Sequence, residues 1–317
     1  MAEDGNVIII RPIAEEGIQL LQEAGLRPFM ASSTEEETLI EEVRDVSAIL
    51  VRNTKINANI MDAASKLKVI GKHGVGVDNI DIEAATERGI TVTNAPDSNK
   101  ESVAEHTLML MLSCAKDLIQ ADHAQREGKH DFRDDYHGTE LWGKKLGVVG
   151  FGTIGRTVAC KAESGFNMEI LAYDPYITSE EMPEGVTLAN EMTELLATSD
   201  FVSLHCPLTD ETEGLVGKSE LTAMQPSSYL INAARGGVVI ERDLLWALEN
   251  DEIAGTATDV YEQEPPPADH PLFGREDVVV TPHIAALTKE SRVKMSTGAA
   301  RGIIDVLQGR SPKNQIN

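Results

Sequence analysis

The second half of the chain carries three side chains able to bind an acid and move a proton, each placed just after an apolar run. In INAARGG, Arg235 follows Tyr229 to Asn232 and stands beside Gly236 and Gly237, which leave room around a guanidinium. An arginine so placed can grip a carboxylate through two parallel hydrogen bonds. In DVYEQEPPP, Glu264 precedes three prolines that keep the following backbone extended. In VVVTPHIAAL, His283 comes directly after a strand-like run and a proline. A glutamate near that imidazole would fix its tautomer and stabilise its protonated form. Singly, each residue has an ordinary reading: a surface arginine, a solvated acid, a loop histidine satisfied by its neighbours. Together they supply a substrate anchor and an acid/base, two of the three requirements for hydride transfer to or from a hydroxy acid.

The third requirement is a positioned nicotinamide, and Lys145 to Arg156, KLGVVGFGTIGR, can hold one. A β-branched strand runs into Gly150, Gly152 and Gly155 and then into a helical pattern. The first glycine permits the tight turn, the second lets the backbone approach a pyrophosphate, and the third allows close helix-to-strand packing. A bare GxGxxG also occurs in purely structural turns. Here a second apolar run, Met168 to Tyr173, ends in Asp174, about 20 residues on, where a ribose-binding acid belongs. An aspartate there accepts from the ribose hydroxyls and repels a 2′-phosphate, so NAD rather than NADP is expected.

The elements that must position these groups alternate strand and helix. Val7 to Ile10, Ala48 to Val51, Val69 to Ile70 and Thr91 to Thr93 read as strands, with helical stretches at Ile13 to Ala24, Glu35 to Arg44, Ala58 to Ala64 and Ile82 to Arg88. NAPDSNK, Asn94 to Lys100, is rich in turn formers and reads as a crossing between domains. A long helix follows, with capping-box spacing at Ser102 and Glu105 and an all-round apolar run, Val103 to Ala115, that should be buried. His106 within it reads as a packed core histidine. After the glycine motif, Phe201 to His205, Tyr229 to Asn232, Thr256 to Val260 and Val278 to Thr281 complete a doubly wound parallel sheet. Ligands of such sheets bind beyond the carboxyl ends of the strands, where Arg235, Glu264 and His283 fall.

Composition narrows the function classes. A chain of 317 residues fits about two domains. With 52 acidic against 28 basic residues the formal charge is −24, which disfavours nucleic acid and anionic membranes as partners and leaves a salty cytoplasm or ordinary acidic drift as its origin. The start, MAEDGNVIII, lacks a basic region followed by a long apolar core, and no run approaches the ~18 apolar residues of a membrane span, so a soluble cytoplasmic protein is expected. Cys114, Cys160 and Cys206 are odd in number and widely spaced, which suggests neither a disulfide framework nor zinc. The polar stretch 122–137 holds three histidines, but without HExxH or a paired spacing it reads as a solvated connection, and no metal is expected.

GVGVDNID (Gly74 to Asp81), SVAEHTL (Ser102 to Leu108), GVVGFGTIG, NAARGG, DVYEQEPP and TPHIAA together resemble the D-2-hydroxyacid dehydrogenase family over nearly the whole chain. The resemblance implies a Rossmann NAD-binding domain, residues 99–287, inserted in a smaller flavodoxin-like substrate domain, residues 1–98 and 288–317. It implies Arg235, Glu264 and His283 as the catalytic trio, with backbone groups of Val75 and Gly76 helping Arg235 hold the substrate carboxylate. For the cofactor it implies Gly150, Gly152, Thr153, Ile154, Gly155, Asp174, His205, Pro207, Thr212, Ala233 and Asp259. A homodimer formed through the cofactor domain is implied as well.

Within the family, LVRNTKI (Leu50 to Ile56) and GKHGVGVDN are most similar to the 3-phosphoglycerate dehydrogenases, although Lys72 stands where those have arginine and PHIAALT replaces PHLGAST. Arg52, Lys55 and Lys72 could form a basic patch for a phosphate, sulfonate or second carboxylate, or be solvated surface charge. The chain ends at Asn317, without room for the C-terminal regulatory domain of longer relatives, so serine feedback through such a domain is not expected. Competing readings are a hydroxypyruvate or glyoxylate reductase and a non-catalytic NAD-responsive binding protein; Glu264 argues against formate dehydrogenases, which have glutamine there.

Overall fold

A computed structural model describes residues 5–317. They divide into two compact units, residues 5–99 with Ala286–Asn317, and Lys100–Ala285.

Unit 1 is built on five parallel strands, β1 (Asn6–Ile10), β2 (Arg27–Met30), β3 (Ala48–Val51), β4 (Val69–Lys72) and β5 (Thr91–Thr93), in the order β2-β1-β3-β4-β5. The connecting helices are α1 (Glu15–Glu23), α2 (Glu36–Glu42), α3 (Ala58–Ala63) and α4 (Ile82–Glu87). Because side chains alternate across a strand, Ile8 and Ile10 join one core with Ile49 and Val51, while Val7 and Ile9 join the other with Ala48 and Leu50. β2 is absent from the strand pattern read above. Its sequence, RPFM, contains a proline and is largely exposed, as an edge strand tolerates and a central strand does not.

Unit 2 opens with α5 (Lys100–Ala115) and α6 (Leu118–Arg126). Its sheet has seven parallel strands: β6 (Lys145–Val149), β7 (Glu169–Tyr173), β8 (Val186–Leu188), β9 (Phe201–Leu204), β10 (Tyr229–Asn232), β11 (Gly255–Thr258) and β12 (Val278–Val280). Helices α7 (Thr153–Phe166), α8 (Met192–Thr198), α9 (Lys218–Ala223) and α10 (Glu241–Glu249) connect them, and α11 (Lys289–Leu307) returns to unit 1, where it packs on β4. The strand order is β12-β11-β10-β9-β6-β7-β8. Winding reverses between β6 and β9, the point at which such sheets open a crevice.

Two local expectations need correction. α5 starts at Lys100, so Ser102 lies inside its first turn and is not the cap; turn formers pulled the expected start two residues late. The polar stretch 122–137 is not a plain connection, since α6 continues to Arg126 and a 3₁₀ helix spans His130–Asp134. Among the described residues no helix is long and apolar enough to cross a membrane, and no group of three metal-ligating side chains occurs.

Candidate active site

The reversal in strand order puts the loop after β6 beside the loop after β9. Gly150 has φ +87°, and a Cβ there would lie 2.7 Å from Cys206 N. A Cβ at Gly155 would lie 2.2 Å from the Gly150 carbonyl oxygen, so α7 can start this close to β6 only with glycine. Gly152 has open space around its Cβ position, and the helix beginning at Thr153 and Ile154 turns its first N–H groups toward that space. Open space beside the N–H groups of a helix N-terminus fits a pyrophosphate. Asp174 follows β7, with Oδ2 accepting from Phe151 N at 2.8 Å and Oδ1 from Tyr176 N at 3.0 Å, which fixes its carboxylate beside the glycine loop.

Beyond β9, the His205 imidazole bonds Ser203 Oγ at 2.8 Å, and burial pushes its pKa down to about 4, so the ring is neutral at neutral pH. Thr212 closes the next turn by donating to Pro207 O at 2.5 Å. Ala233 is half-buried immediately after β10.

The Asn232 side chain holds the turn that follows β10, accepting from Ala234 N at 3.1 Å and donating to Arg235 O at 2.9 Å. Arg235 Nη1 donates to Ala234 O at 2.7 Å, and the residue is half-buried. Gly236 has a different reason from the one its sequence suggests. Its Cβ position is 1.9 Å from the Tyr261 carbonyl carbon, so the glycine lets the Arg235 turn lie directly on the segment leading to Glu264.

Glu264 Oε1 accepts from Tyr261 N at 3.2 Å, and Oε2 stands 2.6 Å from His283 Nδ1. A carboxylate at Nδ1 requires Nδ1–H as donor, which leaves Nε2 as the nitrogen able to exchange a proton with a ligand. Both side chains are substantially exposed, as groups meeting a substrate must be.

His283 itself has φ +52°, a left-handed conformation uncommon outside glycine. Asp259, just past β11 and fully buried, holds it there. Its carbonyl accepts from His283 N at 2.8 Å, while its carboxylate accepts from Ile284 N at 2.9 Å, Ala285 N at 2.8 Å and Thr281 Oγ1 at 2.6 Å. Burial pushes the Asp259 pKa up, but bonds from His106, Thr281, Ile284 and Ala285 outweigh it and hold the carboxyl below its usual range. His106 is therefore no plain core histidine. From α5 its Nε2 reaches Thr281 Oγ1 at 3.1 Å and Asp259 at 3.5 Å. Nothing in its apolar helix signalled this, because the partners lie far along the chain.

In unit 1 the three predicted cations separate. Lys72 is buried, and its ammonium donates to Arg52 O and Asn79 Oδ1, so it braces the chain. Lys55 is exposed. Arg52 is half-buried and donates to Pro12 O at 3.1 Å; burial, then the charges of Arg292 and Arg11, lower its pKa. Arg11 and Arg292, distant in sequence, are the cations the spacing argument missed. The loop Gly74–Gly76 is fixed by Ala95 N donating to Gly74 O at 2.8 Å and Asn94 Nδ2 to Val75 O at 2.7 Å. The N–H groups of Val75 and Gly76 find no acceptor among the described residues.

Residues 108–285 match the family model "D-isomer specific 2-hydroxyacid dehydrogenase, NAD binding domain". The chain is 44% identical to a D-3-phosphoglycerate dehydrogenase of Archaeoglobus fulgidus over 98% of its own length, but spans only 59% of that relative. It is 38% identical to a glyoxylate reductase of Korarchaeum cryptofilum, covering 98% of this chain and 96% of that one. Among solved structures it resembles the NAD+-bound 3-phosphoglycerate dehydrogenase of Entamoeba histolytica, with a TM-score of 0.85 and 29% identity over 99% of both chains.

Proposed function

The chain belongs to the D-isomer specific 2-hydroxyacid dehydrogenase family, and we propose that it interconverts a D-2-hydroxy acid and its 2-oxo acid with NAD. The observation that carries this reading is the Glu264–His283 pair at 2.6 Å, beyond the same strand ends as Arg235. NAD, when bound along the Gly150–Gly155 loop, supplies the hydride acceptor or donor. Arg235 binds the substrate carboxylate through its guanidinium and so orients C2. His283 Nε2 donates a proton to the 2-oxo oxygen during reduction and takes it back during oxidation, while Glu264 stabilises the imidazolium through Nδ1–H. In unit 1 the N–H groups of Val75 and Gly76, without an acceptor among the described residues, are available to a substrate anion. Asp174, His205, Pro207, Thr212 and Ala233 serve the cofactor, and Asp174 selects NAD.

For the substrate we infer an anionic 2-hydroxy acid such as 3-phosphoglycerate, because Arg52, Arg11 and Arg292 concentrate positive charge in unit 1 of an otherwise acidic chain. One observation favours glyoxylate or hydroxypyruvate instead: the Lys72 ammonium is committed to Asn79 and the Arg52 carbonyl and so adds little to that charge. Exposed Leu118 (52%), Ile119 (53%) and Trp142 (67%) support a homodimer built on unit 2. Free Cys114, Cys160 and Cys206 suit a reducing, cytoplasmic setting.

The test is the initial rate of NADH oxidation with a panel of 2-oxo acids. Turnover confined to phosphate- or sulfonate-bearing acids supports the anionic substrate, and turnover spread over small acids replaces it with the reductase reading. NADH binding without any turnover would refute the enzyme.

A further inference from the structure

A cavity of about 700 Å³ lies in unit 1 among α11, the turn after β5 and the last residues of the chain. Its surroundings invert the charge of the molecule. Residues 289–317 contain six of the chain's 28 basic residues and two of its 52 acidic ones. Lys294 and Arg301 line the cavity from α11, seven residues and thus two turns apart on one face, about 10 Å along the axis. Lys313 lines it from the tail. None of these three makes an ion pair or side-chain hydrogen bond among the described residues. Several exposed cations elsewhere find carboxylates, as in Arg44–Glu41, Lys66–Asp45, Arg88–Asp62 and Arg126–Asp122. Two acids also face the cavity, Asp97 and Asp305, and Asp305 is taken by Arg310 at 2.6 Å. The balance around the lining remains positive.

The walls are fixed by the backbone, so the charges converge on a formed concavity. A Cβ at Gly298 would lie 2.8 Å from Ala95 Cβ and one at Gly302 2.4 Å from Thr93 Oγ1; the two glycines seat α11 directly on the segment after β5. The tail is stitched to the same segment by Asn94 N donating to Asn314 O at 3.2 Å and Ile316 N to Val92 O at 2.9 Å. That pairing holds Lys313 near the α11 cations. A concave surface of one sign concentrates counter-ions, and like charges gathered there repel one another until an anion joins them.

We propose that this cavity is a binding site for a small organic polyanion with two separated anionic groups, phosphoryl or carboxylate, bridging Lys294 and Arg301 with Lys313 closing over it. The volume exceeds what a single oxyanion needs and falls within the range of small-molecule sites, about 300–1,000 Å³. Arg52, Arg11 and Arg292 do not line it, so it is distinct from the proposed substrate charge cluster.

Calorimetric titration of the full chain with pyrophosphate and, separately, with succinate tests this. All three substituted side chains are exposed, so Lys294→Gln/Arg301→Gln and Lys313→Gln should fold normally. Saturable binding of either probe is expected, weakened at least about tenfold in the double variant, as loss of charge-assisted hydrogen bonds implies, and unchanged in Arg52→Gln. Pyrophosphate alone binding would assign a phosphoryl ligand, and succinate binding as well would assign a general dianion site. Residue-specific acetylation read by mass spectrometry should show Lys294 and Lys313, but not Lys55, protected by the bound probe. No saturable binding, binding indifferent to the double variant, or loss of binding only in Arg52→Gln would overturn the proposal.

Discussion

Asp259→Asn tests whether His283, the proposed acid/base, is held in place by a buried carboxylate. The substitution keeps the volume and replaces one accepting oxygen by an NH₂ group. Oδ1 accepts from Ile284 N and Thr281 Oγ1 and Oδ2 from Ala285 N, so either orientation of the amide sets NH₂ against at least one buried donor. A buried donor left without a partner costs about 1–3 kcal/mol. Loss of the charge on the remaining bonds adds to this, giving roughly 2–4 kcal/mol and a fall in Tm on the order of 10 °C. Released at 281–285, the loop that carries His283 at φ +52° relaxes. A displacement of about 1 Å at the reacting nitrogen costs on the order of 100-fold in kcat. Thermal unfolding and steady-state kinetics on the same preparation read both effects. An asparagine variant that keeps its Tm and kcat and loses only NADH affinity would refute the reasoning and make Asp259 a cofactor residue.

Gly236→Ala places a methyl against the Tyr261 carbonyl and must part the Arg235 and Glu264 segments; we expect about 3 kcal/mol of destabilisation in urea titrations and at least about 100-fold lower kcat/KM. Asp174→Ala removes the proposed ribose acceptor and should raise the KM for NADH about tenfold or more while improving relative use of NADPH, measured by kinetics with each cofactor. His73 is pushed down to about 4, chiefly by burial and then by Arg52. Its folded pKa lies below its unfolded value of about 6.5, so its contribution is intact above that value and is lost as pH falls toward about 4. The unfolding free energy from urea titrations should drop between about pH 7 and pH 5, by on the order of 2 kcal/mol for this group, and His73→Gln should flatten the drop.

Much of this was legible in the sequence because the signals are local. A strand running into GxGxxG, an acid at the next strand end, and Arg235, Glu264 and His283 after successive strands all follow from period and spacing. The edge strands β2 and β8 were not, since edges need neither alternation nor an apolar run. Contacts that join remote segments were hidden too. Gly236 is small because Tyr261 lies against it, Lys72 is spent on Asn79, and His106 meets Asp259 across more than half of unit 2. Spacing put Arg52, Lys55 and Lys72 together, whereas the folded charge cluster joins Arg52 to Arg11 and Arg292.

The most direct measurement is the rate of NADH oxidation by His283→Ala and Glu264→Gln with the best 2-oxo acid found for the unaltered protein, alongside NADH binding by fluorescence. NADH binding unchanged, with His283→Ala slowed by about 100- to 10,000-fold and Glu264→Gln slowed less, is the predicted result. Turnover by His283→Ala close to that of the unaltered protein would contradict the account.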